Sequence, residues 1–302
     1  MEKEALDYFI NHAGSPNGVI DGGIAIFAAG NEYAGNPAFP GAYSKCVCVS
    51  SVAADFTPAC YTDYGTLVTL SAPGGDLEYY GKVGEAEDEY WSETTEQKGA
   101  VLSTMIQNGK PAYGYMEGTS MACPHVSGVA ALGLSYAVKQ HRHYRAADFV
   151  SLMKRSVKDL DGYYTGGATK TYYMNHTTVG ASPEIVSLSK YIGKMGTGLI
   201  DAVQLLNNIK NKENSSDMKL PNVYIGLEKT TTLNLPSYFE GVESGYTCSV
   251  ADGNVASATI TGTTLTVKGL AVGSTTLTVS VGGKQQTVTV IVRKAANNNG
   301  WM

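Results

Sequence analysis

The sequence predicts an α/β domain built on a parallel sheet with flanking helices, followed by a small all-β domain. Three observations carry this. The runs Ile24-Ala25-Ile26-Phe27-Ala28-Ala29 and Lys45 to Ala53 are apolar without alternation, as in strands buried on both faces of a parallel sheet. Helical spacing of apolar residues marks 3–12, the stretch from Ser120 to about Lys139, and 146–157. Beyond residue 217 the spacing changes to two, in Thr264 to Val267, Thr276 to Val281 and Thr287 to Val292. A chain of 302 residues has room for about two such domains.

In order, Ala5, Leu6, Phe9 and Ile10 form the apolar side of the first helix, which Gly14 to Gly18 breaks. The first buried strand ends at Asn31. Lys45 to Ala53 is the second strand and Thr66 to Leu70 the third, with a turn at Asp63-Tyr64-Gly65. Residues 75–99 hold Asp76, Glu78, Glu85, Glu87, Asp88, Glu89, Glu93 and Glu96 against Lys82 and Lys98. They read as a solvated acidic insertion. Recognition of basic substrate segments or weak calcium binding is the alternative, although the alternating ligand spacing of a calcium loop is absent. Ala100 to Thr104 and Ala112 to Met116 are short strands joined by the turn Asn108 to Pro111.

The helix from Ser120 is followed by a basic exit loop, His141 to Arg145, and by the helix 146–157. Residues 161–190 read as a polar surface excursion. By composition 211–219 is a linker. The expected domains are therefore 1–210 and 220–294, with a loose tail at 295–302. Gly282-Gly283 marks a tight hairpin between the last two strands.

Composition excludes several functions. Net charge is −5 with pI about 5.6, and no basic run supports a nucleic-acid partner. No apolar stretch approaches the roughly 18 residues of a membrane span. The start, Met1-Glu2-Lys3-Glu4, is charged and unlike a signal peptide. Cys46, Cys48, Cys60, Cys123 and Cys248 show no zinc or redox spacing and read as buried free thiols.

The chemistry concentrates in Gly118-Thr119-Ser120-Met121-Ala122-Cys123-Pro124-His125-Val126-Ser127-Gly128. A serine with glycine close before it opens a helix. Glycine leaves room for a substrate backbone, and the helix end offers free N–H groups to a developing oxyanion. His125 lies five residues on and faces away from Ser120, as a packed, hydrogen-bonded structural histidine. Asn31 ends a buried strand, where open α/β sheets bind ligands, and its amide can donate to an oxyanion.

This run resembles the nucleophile motif of the subtilisin-like serine proteases, with Cys123 where a smaller residue is usual. Ala28-Ala29-Gly30-Asn31-Glu32 resembles a second signature of the same family. Gly196 to Val203 resembles the family's closing helix, so the likeness extends over roughly residues 1–208. It implies a subtilisin-like sheet and a secreted or cell-surface serine endopeptidase acting on protein or peptide substrates. Ser120 would be the nucleophile and Asn31 the oxyanion donor. Ala28, Ala29, Gly30, Gly118 and Thr119 would bind substrate, and Phe39-Pro40 would be cis. Calcium is the one cofactor the resemblance allows. The family's Asp-[Ser/Thr]-Gly and Gly-Thr-His contexts are absent. The chain therefore reads as the C-terminal part of a catalytic domain, beginning after both motifs, inactive alone and completed by a missing N-terminal half. The last strands resemble a bacterial immunoglobulin-like module. The alternative function is a non-catalytic surface or adhesion protein acting through that module.

Overall fold

The computed structural model describes residues 2–15, 18–76, 99–172, 184–239 and 241–294. Contacts group the chain into two units. The first comprises Met1–Ile10, Ile24–Gly133 and Ala147–Asn208, and the second Asn11–Gly23, Leu134–Ala146 and Ile209–Met302.

The first unit is built on a five-stranded sheet in the order Ile26–Ala28, Val47–Val52, Leu70–Pro73, Leu199–Ile200, Val157–Lys158. The first four are parallel to their neighbours and the last pairs antiparallel. Every residue of Val47–Val52 is buried, as its unbroken apolar run requires. Cys46, Cys48 and Cys60 are buried free thiols, while Cys123 and Cys248 are only half-buried. The Phe39–Pro40 bond is cis.

The third strand starts later than its sequence suggests. Val68 N–H bonds Gly65 O in a turn and Leu67 is exposed, so pairing begins only where Leu70 meets Val49. The expected closing helix at 196–203 is first a strand, Leu199–Ile200, and then the helix Ala202–Lys210. Gly196 and Gly198 have φ of 72° and 137°, which a helix cannot use. Their missing side chains let the backbone lie against Thr69, Leu70 and Lys158.

The expected surface excursion contributes to the core. Tyr164, Tyr172 and Leu188 from it pack with Val52, Ala59, Cys60 and Tyr61, and with Tyr191 just beyond it. Tyrosine tolerates this because its hydroxyl reaches an acceptor. Tyr164 donates to Phe56 O and Tyr172 to Pro58 O, each at 3.1 Å. The acidic insertion is corrected at its first acidic residue. Asp76 is fully enclosed, its Oδ2 accepting from Cys60 N–H and from Lys170 Nζ at 2.6 Å. Residues 77–98, with the other acidic side chains, lie outside the described residues. The strands Val101–Gln107 and Lys110–Met116 form an antiparallel hairpin. Its turn, Asn108 and Gly109, has φ of 50° and 74°, as a two-residue primed turn demands.

The helix Thr119–Lys139 presents Ala122, Val126 and Ala130 to the protein. At Gly133 an added Cβ would lie 2.8 Å from Leu205 Cδ2 and 3.0 Å from Phe149 Cζ, so this glycine permits the packing of those two side chains. By length and composition the helix also passes the test for a membrane crossing, which core helices of folded domains pass as well. Interleaved serines, a proline and a histidine hide that average from a search for continuous apolar runs.

In the second unit the expected exit loop is a strand, Arg142–Arg145. It gains partners distant in sequence, Ile20–Asp21 in parallel and Ser216–Asp217 antiparallel. His143 is enclosed there, with Nδ1 2.8 Å from Gly18 O and Nε2 2.9 Å from Asp21 Oδ2. Both ring nitrogens thus lie within hydrogen-bond distance of oxygen atoms. Seven strands then form two sheets. One has the order Val223–Gly226, Lys284–Arg293, Gly273–Val281, Thr247–Val250, and the other Thr230–Asn234, Thr264–Gly269, Ala256–Thr261. Gly282 and Gly283, at φ 53° and 79°, turn the hairpin the sequence announced. The alternation places Leu265, Val267, Leu277, Val279, Val290 and Val292 in one core, which Met218 from the expected linker also enters, beside Leu220. Leu277 is fully buried, and Leu277→Ala is expected to lower the unfolding free energy by about 2–5 kcal/mol in urea titration. A loss below about 1 kcal/mol would mean that this core is not packed as described.

Candidate active site

The site forms where the strand Ile26–Ala28 and the helix Thr119–Lys139 bring their ends together. Gly118 has φ 142°, open to glycine, and turns the chain into the helix. Its N–H is held by Gly74 O at 2.9 Å and by the Tyr61 hydroxyl at 2.8 Å. Tyr61 is buried, and that burial pushes its phenol well above the ordinary range, so the hydroxyl remains a neutral bridge. It also meets Ser51 Oγ and the carbonyls of Gly74 and Gly75.

Within the first helical turn, Met121 N–H and Ala122 N–H both bond Gly118 O. Thr119 N–H and Thr119 Oγ1 both donate to Asn31 Oδ1, at 2.9 and 2.8 Å. A backbone N–H can only donate, so this contact fixes which end of the Asn31 amide is oxygen. The amide Nδ2 is thereby turned the other way. A methyl group placed on Gly118 would stand 3.6 Å from Ser120 N and 3.7 Å from Asn31 Nδ2. Neither of these donors has a hydrogen-bond partner among the described residues. Two open donor nitrogens therefore lie near one point beside Gly118, and Ser120 itself is exposed. Pro124 has no N–H to return to the Ser120 carbonyl.

The remaining sequence-predicted residues sit close by. Thr119 is fully buried, and its hydroxyl also accepts from Gly30 N–H at 3.3 Å. Ala29 is enclosed with Cys48 and Val68, which leaves the accessible surface of that stretch to Ala28 and Gly30. His125 is corrected in one respect. It is hydrogen-bonded, through Nδ1 to Met121 O at 2.8 Å, but exposed rather than packed. Among the described residues no histidine is hydrogen-bonded to Ser120. His143 and Asp21 form a histidine–carboxylate pair, but both ring nitrogens are already engaged, by Gly18 O and Asp21 Oδ2. Among the described residues no group of three His, Cys, Asp or Glu is arranged to hold a metal.

Two supporting residues escaped the sequence. Tyr61 fixes Gly118 as described. Asp63, expected only as a turn residue, is 1% exposed. Its Oδ1 accepts from Glu32 N–H at 3.0 Å and Ala34 N–H at 2.8 Å, and its own N–H bonds Gly30 O at 3.0 Å. It clamps the loop that carries Asn31. Burial raises its carboxyl to about 6, with Glu32 adding to the rise.

Comparison with protein families matches residues 3–181 to the Subtilase family, Peptidase_S8. Halolysin of Haloferax mediterranei is 35% identical over 137 residues, covering 45% of this chain and 20% of halolysin. An extracellular basic protease of Dichelobacter nodosus is 25% identical over 201 residues, covering 66% of this chain and 26% of that protein. The matched regions thus span only about a fifth to a quarter of these relatives. Among solved structures, proteases from Pseudoalteromonas arctica align at 27% identity and TM-score 0.40, covering 62% of this chain and 42% of that one.

Proposed function

The chain belongs to the subtilase family, and from that premise we propose that it carries the nucleophile and oxyanion site of a serine endopeptidase. Ser120 Oγ attacks the scissile carbonyl. The oxygen that becomes negative lies between Ser120 N–H and Asn31 Nδ2, and water later hydrolyses the acyl-enzyme. One observation carries this reading: two unpartnered donor nitrogens, Ser120 N and Asn31 Nδ2, lie within 3.7 Å of the same point beside Gly118. Backbone and side chain are fixed before substrate arrives, so little reorganisation is needed as charge develops. Ala28, Gly30 and Gly118 offer the substrate chain a wall free of bulk, and Thr119 holds Asn31 in orientation.

The base and its carboxylate come from polypeptide outside the described residues. The first unit offers such a partner exposed surface. The strand Ile26–Ala28 is a sheet edge, the helix Glu2–His12 buries no residue, and Tyr8, Phe9 and Leu132 are exposed. Alone, the chain is inactive. The second unit is an immunoglobulin-like module, and the protein acts outside the cell, as the name of the Dichelobacter relative states for that protein. Its substrates are proteins or peptides.

The test mixes the chain with a separate polypeptide carrying the family's Asp-[Ser/Thr]-Gly and Gly-Thr-His motifs and follows a chromogenic peptide. Turnover in the mixture, and in neither component alone, is expected. Turnover by this chain alone would overturn the incomplete triad. A stable complex without turnover would overturn the role assigned to the site.

A further inference from the structure

We propose that Asp63 is the positioning residue of Asn31, and that a proton shared between Asp63 and Glu32 across Gly30 keeps the Asn31 loop closed. This rests on the oxyanion role given to Asn31 above.

One residue, Asp63, makes several of the contacts that hold the loop from Gly30 to Ala34. Asp63 Oδ1 takes the N–H groups of Glu32 and Ala34, while Asp63 N–H holds the Gly30 carbonyl. Asp63 cannot follow the loop outward. Its own carbonyl is bonded by Ser50 Oγ at 2.6 Å and by Thr62 Oγ1 at 3.1 Å, and all three residues are buried. The other oxygen, Oδ2, faces Glu32 Oε2 across Gly30. A Cβ on Gly30 would collide with both oxygens, and Gly30 has φ 118°. Glu32 Oε2 also accepts the Asn31 N–H at 2.9 Å. The pair therefore holds Asn31 from two directions, through its own N–H and through that of the next residue.

Two carboxylates facing one another repel unless a proton lies between them. Asp63 is buried and fixed, whereas Glu32 is exposed and free to swing into water. When the shared proton leaves, Glu32 is the member that moves, and it takes away the acceptor of Asn31 N–H. The other titratable group set against Asp63 is Cys48 from the neighbouring strand. Burial pushes its thiol up to about 12, so it stays neutral over the relevant range. Lys190 lies over the rings of Tyr33 and Tyr64, with its amine on Tyr33 Oη.

The sign follows from the folded carboxyl lying above its unfolded value. The native chain binds the extra proton between about pH 4 and 6, so the pair's stabilisation is complete below that window and is lost as pH rises through it.

The test is a pH titration of the isotope-labelled full chain by NMR, from pH 4.5 to 8. The Glu32 and Ala34 backbone amides and the Asn31 side-chain amide are expected to move together, with one midpoint near the carboxyl's value of about 6. In Glu32→Gln the midpoint falls and the Asn31 response shrinks. In Asp63→Asn the common titration disappears. Asn31 side-chain signals that stay flat while Glu32 and Ala34 titrate would overturn the proposal and leave Asp63 a purely structural clamp. An unchanged midpoint in Glu32→Gln, which keeps the buried clamp intact, would overturn the shared proton. No catalysis enters this readout, so failure of the oxyanion role itself is seen separately in the kinetics of Asn31 variants.

Discussion

Ser120→Ala is expected to reduce kcat by about 10⁶ in the complemented enzyme, the scale on which removing the nucleophile of such a triad acts. The reason is chemical. Without Oγ no acyl-enzyme forms, and only the oxyanion donors and substrate binding remain to assist attack by water. The Ser120 side chain is exposed at the first helical turn, so its loss opens no cavity and the fold is retained. Circular dichroism of the variant should match the parent. Steady-state kinetics on a chromogenic peptide measure the effect, and retention of more than about a hundredth of the activity would remove Ser120 from the reaction.

The second large effect is at Asn31. Asn31→Ala is expected to lower kcat by about 10²–10³ with KM nearly unchanged, because the amide donates to charge that exists only in the transition state. The variant also strips Thr119 N–H and Thr119 Oγ1 of their shared acceptor. Asn31→Asp separates these contributions. It keeps an acceptor for Thr119 but replaces the Nδ2 donor with a negative oxygen, so it should be at least as damaging to kcat while costing less stability. Comparable kcat loss with a large rise in KM would instead mean that Asn31 binds the ground state.

The nucleophile stretch was legible because its signal is local. Glycine, serine and the helix that follows are neighbours in the chain, and the structure sets Gly118, Thr119 and Ser120 at the helix start as expected. Asn31 was legible for a similar reason, as the residue that ends a buried strand. The residues that hold these two were not. Tyr61 meets Gly118 across a separation of 57 residues, and Asp63 meets Glu32 across 31. No periodicity or turn signal encodes such contacts. The same limit explains Arg142–Arg145, which reads as a basic loop until Ile20–Asp21 pairs with it. It explains the tyrosines at 164, 172 and 191 as well, because a polar-looking segment can enter a core when each hydroxyl finds a partner there. The β strands of the second unit were the easiest to read, since alternation, Gly282-Gly283 and burial all agree.

The most direct test of the central claim is intact-mass measurement after treatment with a fluorophosphonate, for the chain alone and with the polypeptide carrying the Asp and His motifs. A base must deprotonate the serine for this reagent to react quickly. The expected result is no adduct on the chain alone and a single adduct in the mixture that disappears in Ser120→Ala. A single adduct on the chain alone that Ser120→Ala abolishes would show that the base already lies within this chain. An adduct that survives Ser120→Ala would show that Ser120 is not the nucleophile.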